Sequence, residues 1–183
     1  TDALGRSWAF EYDVNHNVFR VTDPRGQVIR SGWGYGHQLL TQTDDAGTVT
    51  HTRYTRNPLG QPTQAVSPEV TYTYSYDAAH RLQTLTDSRG GKSLNYFWSP
   101  GGLLNTIDGS DGNRTDYLYD PVGRLTGIWS PTNDLVSFLH DAGGRLVEKW
   151  FPNGVNTRYS YNQDNTLQQL VNRHGTGTII SQH

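Results

Sequence analysis

The chain has 183 residues, a formal net charge of −2, no cysteine and 33% apolar residues, with 20 Gly, 11 Tyr and 5 Trp. Without cysteine it cannot form disulfides or a thiolate metal site, and its scattered basic residues argue against a nucleic-acid partner. No apolar run approaches the roughly 18 residues that a membrane-spanning helix needs.

The first recognisable element is a seven-residue segment that recurs along the chain. It is clearest as YDAAHRL at 76–82, YDPVGRL at 119–125 and HDAGGRL at 140–146. We name the residue that starts each copy the opening position, and successive opening positions are 20 to 23 residues apart. They are Tyr12, Trp33, Arg56, Tyr76, Trp98, Tyr119, His140 and Tyr161. Eight copies at nearly constant spacing indicate a repeat architecture, although Arg56 has lost the aromatic ring.

The residues that lead up to each opening position predict a β-strand. An aromatic residue lies two positions earlier in seven of the eight units, and Ser31 is the exception. A spacing of two places both rings on one face of a strand, as in VTYTYSY at 70–76.

A four-residue turn follows each of these strands. Its last position, four residues after the opening position, is Gly in four units and His or Asn in the others. The column consists of His16, His37, Gly60, His80, Gly102, Gly123, Gly144 and Asn165. Glycine adopts positive φ freely, and His and Asn tolerate it better than most residues, so the column predicts one left-handed backbone conformation.

A second strand and a second turn complete each unit. Leu or Val lies six residues after the opening position in seven units, and apolar residues also recur nine residues after it. Positions six and nine lie on opposite faces of an ideal strand. Either both faces are partly covered, or the strand carries a bulge. Eleven residues after the opening position come turn clusters such as DPRG at 23–26, DSRG at 87–90 and NRHG at 172–175.

The fold class that follows is all-β, with repeated antiparallel β-hairpins of about 21 residues in one long curved sheet. Residues 1–183 form eight such units with almost no helix, and we expect no separate second domain. The low apolar content predicts a wetted sheet without a thick core. Sixteen strands would form a ribbon on the order of 75 Å wide, which must curl. The ending HGTGTIISQH resembles the start of another strand, so we expect a piece of a longer array.

The repeat resembles the YD repeat of the Rhs family. YDPVGRLTGI at 119–128 and YDAAHRLQTLTDSRG at 76–90 carry the resemblance, which recurs in register over essentially the whole chain. It implies sheets that spiral into a hollow shell. In bacterial toxin complexes and secreted Rhs effectors such a shell encloses a variable C-terminal toxin, and in teneurins it is part of an adhesion receptor.

Several candidate sites have simpler structural explanations. The family has an autoproteolytic segment with aspartates in a D-P-x-G context, but DPVG at 120–123 and DPRG at 23–26 lie in register as repeat turns. Asp108 and Asp111 in a Gly-rich loop invite a Ca²⁺ site, but they lack the spacing of an EF-hand loop.

The remaining candidates are the charged residues of the first turn. The aspartates after the opening position could act as paired acids, but we expect them to cap their turns. They are Asp13, Asp77, Asp120 and Asp141. Three arginines could bind a carboxylate ligand, but we expect ion pairs with these aspartates. They are Arg81, Arg124 and Arg145. We therefore expect no catalytic, cofactor-binding or metal-binding residues and no enzymatic activity.

These observations favour a structural role. The resemblance implies a wall segment of a shell that encapsulates a C-terminal toxin or effector until delivery, in an exported bacterial protein. Its partners would be that cargo and the secretion or delivery machinery. The alternative is a carbohydrate-binding or cell-surface adhesion module, because exposed Tyr and Trp beside Asp and Asn can bind sugar rings.

Overall fold

The computed structural model describes residues 5, 7–47, 50–132, 134–175 and 177–182. Every regular element in these residues is a β-strand, and every strand pairing is antiparallel. The all-β prediction is therefore confirmed. Within the described ranges there is no helix that could span a membrane.

Backbone contacts divide the chain into two units, Thr1–Ser93 and Leu94–His183, so the expectation of a single domain stays a prediction. The first unit is a meander in which each strand pairs with the next one along the chain. Its strands are β1 (Ala9–Tyr12), β2 (Val18–Thr22), β3 (Val28–Gly34), β4 (Gln38–Asp44), β5 (Thr50–Arg56), β6 (Pro62–Val66), β7 (Thr71–Tyr76) and β8 (Leu82–Asp87).

The second unit repeats the same meander. It begins within β9 and continues to β17, again with each strand paired to its successor. The strands are β9 (Lys92–Trp98), β10 (Leu104–Gly109), β11 (Arg114–Tyr119), β12 (Leu125–Trp129), β13 (Leu135–His140), β14 (Leu146–Trp150), β15 (Val155–Tyr161), β16 (Leu167–His174) and β17 (Ile179–Gln182). The extra strand predicted near the C-terminus is β17.

All eight predicted hairpins carry the same β-bulge. In the hairpin of β11 and β12, Tyr119 pairs with Leu125, Leu118 with Gly127, and Tyr117 with Ile128, so Thr126 has no partner. The same shift occurs in every hairpin. One extra residue reverses the alternation of faces. The residues six and nine positions after the opening position therefore lie on the same face as the aromatic rings. Of the two alternatives for the second strand, a bulge or two partly covered faces, the structure shows the bulge.

The predicted left-handed column is also confirmed. All eight residues four positions after the opening position have positive φ, between 61° and 84°. Backbone hydrogen bonds explain the requirement. In the unit of Tyr119, Asp120 N donates to Arg124 O at 2.9 Å and Gly123 N donates to Asp120 O at 2.9 Å. This closed turn forces the chain through the left-handed region before the second strand begins.

One predicted turn lies later than the sequence indicated. NRHG at 172–175 was expected to turn, but β16 continues to His174 and the turn closes from His174 to Thr178. Asn172 is held in the strand because its side chain joins both neighbouring strands. Its Oδ1 accepts from Thr157 Oγ1 at 2.7 Å, and its Nδ2 donates to Ser181 Oγ at 2.8 Å.

The predicted absence of a thick core is confirmed for the described residues. Ala65 and Val171 are the buried apolar residues, and no side chain there is less than 2% exposed. Stability must therefore come from neighbouring strands and from side-chain bonds between them, as in other repeat proteins.

Candidate functional site

The most regular feature of both units is a hydrogen bond that joins a hairpin to the hairpin before it, and it recurs at five opening positions. The side chain at the opening position donates to the carbonyl that lies six residues after the preceding opening position. We name this interaction the anchor bond. The tyrosine examples are Tyr76 Oη to Pro62 O at 2.7 Å, Tyr119 Oη to Leu104 O at 2.9 Å and Tyr161 Oη to Leu146 O at 2.7 Å.

Two chemically different residues make the same bond. Trp33 Nε1 donates to Val18 O at 2.8 Å. Arg56, which lacks an aromatic ring, donates from Nη2 to Leu39 O at 3.1 Å and from Nη1 to Gly60 O at 2.9 Å. The opening position therefore favours a long side chain that ends in a hydrogen-bond donor, and this side chain is most often aromatic. Partial burial raises the pKa of the Tyr76 and Tyr119 hydroxyls, which keeps them protonated as donors.

The aspartate column caps the first turn, as expected from the sequence. Asp120 Oδ1 accepts from Val122 N at 3.0 Å and from Arg124 N at 2.9 Å. Asp77 makes the equivalent pair of bonds at 2.9 Å, and Asn57 takes the same place in its unit with bonds at 3.1 and 3.0 Å. A side-chain acceptor at this position satisfies two amides that the tight turn leaves without a backbone partner.

The three arginines pair with these aspartates. The pairs are Arg81 with Asp77, Arg124 with Asp120 and Arg145 with Asp141, with N···O distances of 2.6 to 2.7 Å. Hydrogen bonds from the backbone amide and then the guanidinium of the arginine lower the pKa of Asp77 and Asp141. The backbone amide of Arg124 is the main cause of the lowered pKa of Asp120. A carboxylate held ionised in this way is poorly suited to act as a general acid near neutral pH.

A second polar series runs from turn to turn. The residue five positions after one opening position reaches the first turn of the next hairpin. Gln61 Nε2 donates to His80 O at 2.7 Å, Arg124 Nη1 donates to Asp141 O at 3.1 Å, and Arg145 Nη1 donates to Asn165 Oδ1 at 2.8 Å. Arg124 and Arg145 each bond to their own turn and to the following one.

The remaining sequence candidates also lie in turns or strands. Asp23 of the DPRG segment accepts from Arg25 N and Gln27 N, both at 2.8 Å, as the turn aspartates do. Asp108 belongs to β10 and is paired with Arg114, whereas Asp111 caps the next turn by accepting from Asn113 N at 3.2 Å. Within the described ranges, the structure brings together no group of three His, Asp or Glu residues that could hold a metal ion.

The array of bulged hairpins defines the class of protein as a β-repeat protein. A family model described as RHS Repeat matches residues 1–30. No curated protein sequence matches the chain.

The same fold is present in solved toxin-complex structures. The TcdB2-TccC3-TEV crystal structure superposes with a TM-score of 0.67 at 14% identity, covering 96% of this chain and 10% of that chain. The Tc holotoxin pore of Photorhabdus luminescens, with a substitution in TccC3, gives 0.66 at 13% identity over 96% of this chain and 10% of that one. TcdB2-TccC3 without its hypervariable C-terminal region gives 0.65 at 14% identity, covering 96% and 13% respectively.

These findings confirm the resemblance to the Rhs/YD-repeat family, since the chain carries an RHS repeat and has the fold found in TcdB2-TccC3. The chain spans only about a tenth of the length of these toxin-complex chains.

Proposed function

We propose that these repeats are wall material of an Rhs-type shell, and that the shell isolates a C-terminal toxin or effector until delivery. The observation that carries the proposal is the construction of the array. Anchor bonds or turn-to-turn bonds join neighbouring hairpins along both units, while very few described side chains are buried. Such a sheet extends by adding units, and a wide sheet of this kind curves and can enclose space.

Similarity to TcdB2-TccC3 supports the same role. One of the matched structures is described as lacking a hypervariable C-terminal region, so that protein has a variable segment in addition to the matched fold. By analogy, the wall proposed here would belong to a longer, exported polypeptide. Its partners would be its own C-terminal cargo and the machinery that delivers it.

The repeats themselves would have no catalytic activity. The aspartates that could serve as acids cap turns and pair with arginines. The same reasoning weighs against the adhesive alternative. A sugar-binding aromatic site needs free polar groups beside the ring, whereas the hydroxyls of Tyr76, Tyr119 and Tyr161 already donate to backbone carbonyls.

Protease protection in the full-length polypeptide tests the proposal. Deletion of residues 119–160 removes two periods of 21 residues and should open the wall, so that the cargo is digested. The matched control replaces residues 140–160 with a second copy of 119–139, which alters sequence but keeps the number of hairpins. Its cargo should stay protected, as in the unaltered protein. Equal digestion in all three proteins would contradict the shell, and glycan binding by the purified repeats would then favour adhesion.

A further inference from the structure

We propose that the contact between β12 and β13 is the weakest of the three contacts between complete hairpins in the second unit. Six contacts join one complete hairpin to the next within the two units, whether or not the repeats form a shell. Five of them carry an anchor bond, donated by Trp33, Arg56, Tyr76, Tyr119 and Tyr161.

The sixth contact joins β12 to β13, and its opening position is His140. The two strands pair over three positions, as β10–β11 and β14–β15 do: Gly127 with Ser137, Ile128 with Val136 and Trp129 with Leu135. In the described part of the chain, His140 makes no hydrogen bond to Leu125 O, which is the anchor acceptor for this hairpin. An imidazole is shorter than a phenol or a guanidinium, so its ring nitrogens lie nearer the backbone than the donors of the other anchor residues.

Side-chain bonds across the neighbouring contacts make the difference larger. Between β10 and β11, Thr106 Oγ1 donates to Asp116 Oδ1 at 2.6 Å in addition to the anchor bond. Between β14 and β15, Arg158 Nε donates to Glu148 Oε1 at 2.7 Å. Across β12 and β13, the described side chains give one hydrogen bond, from Arg124 Nη1 to Asp141 O.

Apolar pairs do not fully replace these bonds. Gly127, at one end of the paired segment, has no side chain to pack across the strands, and Leu118 and Leu135 come within 3.1 Å of the place that a Cβ would take. The contact therefore depends on the apolar pairs of Ile128 with Val136 and Trp129 with Leu135, and on one side-chain hydrogen bond from Arg124. Local opening between hairpins of a repeat protein begins at the weakest nearest-neighbour contact. We name the contact between β12 and β13 the seam.

Hydrogen exchange monitored by mass spectrometry or NMR on the whole chain tests the seam. Amides shared by β12 and β13 should exchange faster than those shared by β10 and β11 or by β14 and β15. His140→Tyr supplies the donor that Tyr119 and Tyr161 provide on either side, and should slow exchange at the seam about three- to tenfold, the range expected for one net hydrogen bond.

A matched variant keeps the test informative if His140→Tyr perturbs folding. Tyr161→Phe removes the anchor bond between β14 and β15 and should raise the exchange rate at that contact about three- to tenfold, although the bond from Arg158 to Glu148 remains. Two results would overturn the proposal. One is equal protection at all three contacts in the unaltered chain. The other is a folded His140→Tyr variant in which exchange at the seam is unchanged.

Discussion

The anchor bond can be measured by removing a single oxygen atom. Tyr119→Phe leaves the ring in place and deletes the hydroxyl that donates to Leu104 O at 2.9 Å. The ring is half-buried, so the carbonyl it leaves behind regains only partial access to water. We expect a loss of about 1 kcal/mol in the free energy of unfolding, the usual net value of one hydrogen bond. For a chain of this size that corresponds to a fall of about 2–4 °C in melting temperature.

Tyr119→Ala removes the ring as well. For a completely buried aromatic side chain, such a change lowers the free energy of unfolding by about 3–5 kcal/mol. Because the Tyr119 ring is half-buried, we expect a decrease of about 2 kcal/mol, roughly half of that range.

Tyr117→Phe is the matched control for the hydroxyl. Tyr117 lies two residues before Tyr119 on the same face, and among the described residues its hydroxyl has no hydrogen-bond partner. We expect this variant to unfold within about 0.5 kcal/mol of the unaltered chain, as a change at a site without such a bond does. Urea denaturation followed by circular dichroism and tryptophan fluorescence would measure all three variants. Equal losses in Tyr117→Phe and Tyr119→Phe would refute the idea that the anchor bond stabilises the array.

Three further predictions concern the turns and the unusual anchor residue. Gly123→Val should lower stability by about 1–3 kcal/mol because Gly123 has a φ of 83°. The effect should come from the backbone and not from a clash, since an added Cβ would meet nothing closer than 3.7 Å. His80→Gly at the equivalent position should be nearly neutral, and chemical denaturation compares the two variants. Arg56→Leu should lose about 1–2 kcal/mol in the same assay because two hydrogen bonds disappear, whereas Arg56→Tyr should retain most of the stability; an Arg56→Leu variant as stable as the unaltered chain would show that the guanidinium is not an anchor. The pKa values of Asp77 and Asp120 are lowered in the folded chain, so their contribution to stability is fully present above the ordinary aspartate pKa of about 3.9 and is lost as pH falls through the lower folded-state values. The double variant Asp77→Asn with Asp120→Asn should therefore lose less stability between pH 7 and pH 2 than the unaltered chain, as measured by unfolding curves across that range.

The sequence was sufficient to predict the period, the turn and the strand order, because each has a direct chemical signature. The left-handed column is the clearest case, since Gly, His and Asn share one backbone requirement that the structure shows at all eight positions. Asp120 and Arg124 were likewise predictable as a turn cap and an ion pair, because they are four residues apart within one turn.

Other features depend on contacts between hairpins, which a single period does not contain. The sequence does not decide whether the second strand has a bulge, because apolar residues at positions six and nine fit either a bulge or two partly covered faces. Arg56 looked like a gap in an aromatic column, and only its distance to Leu39 O shows that it makes the anchor bond. The bond from Arg124 to Asp141 O spans 17 residues and becomes visible only once the register of neighbouring strands is known.

The central functional claim is that these repeats form a wall around cargo, and a cryo-EM map of the full-length polypeptide tests it most directly. We expect the eight hairpins to continue into further repeats, their sheet to curve around a closed cavity, and density for the C-terminal segment to lie inside it. A map in which the repeats form an open sheet with solvent on both faces, and the C-terminal segment folds outside it, would contradict the account.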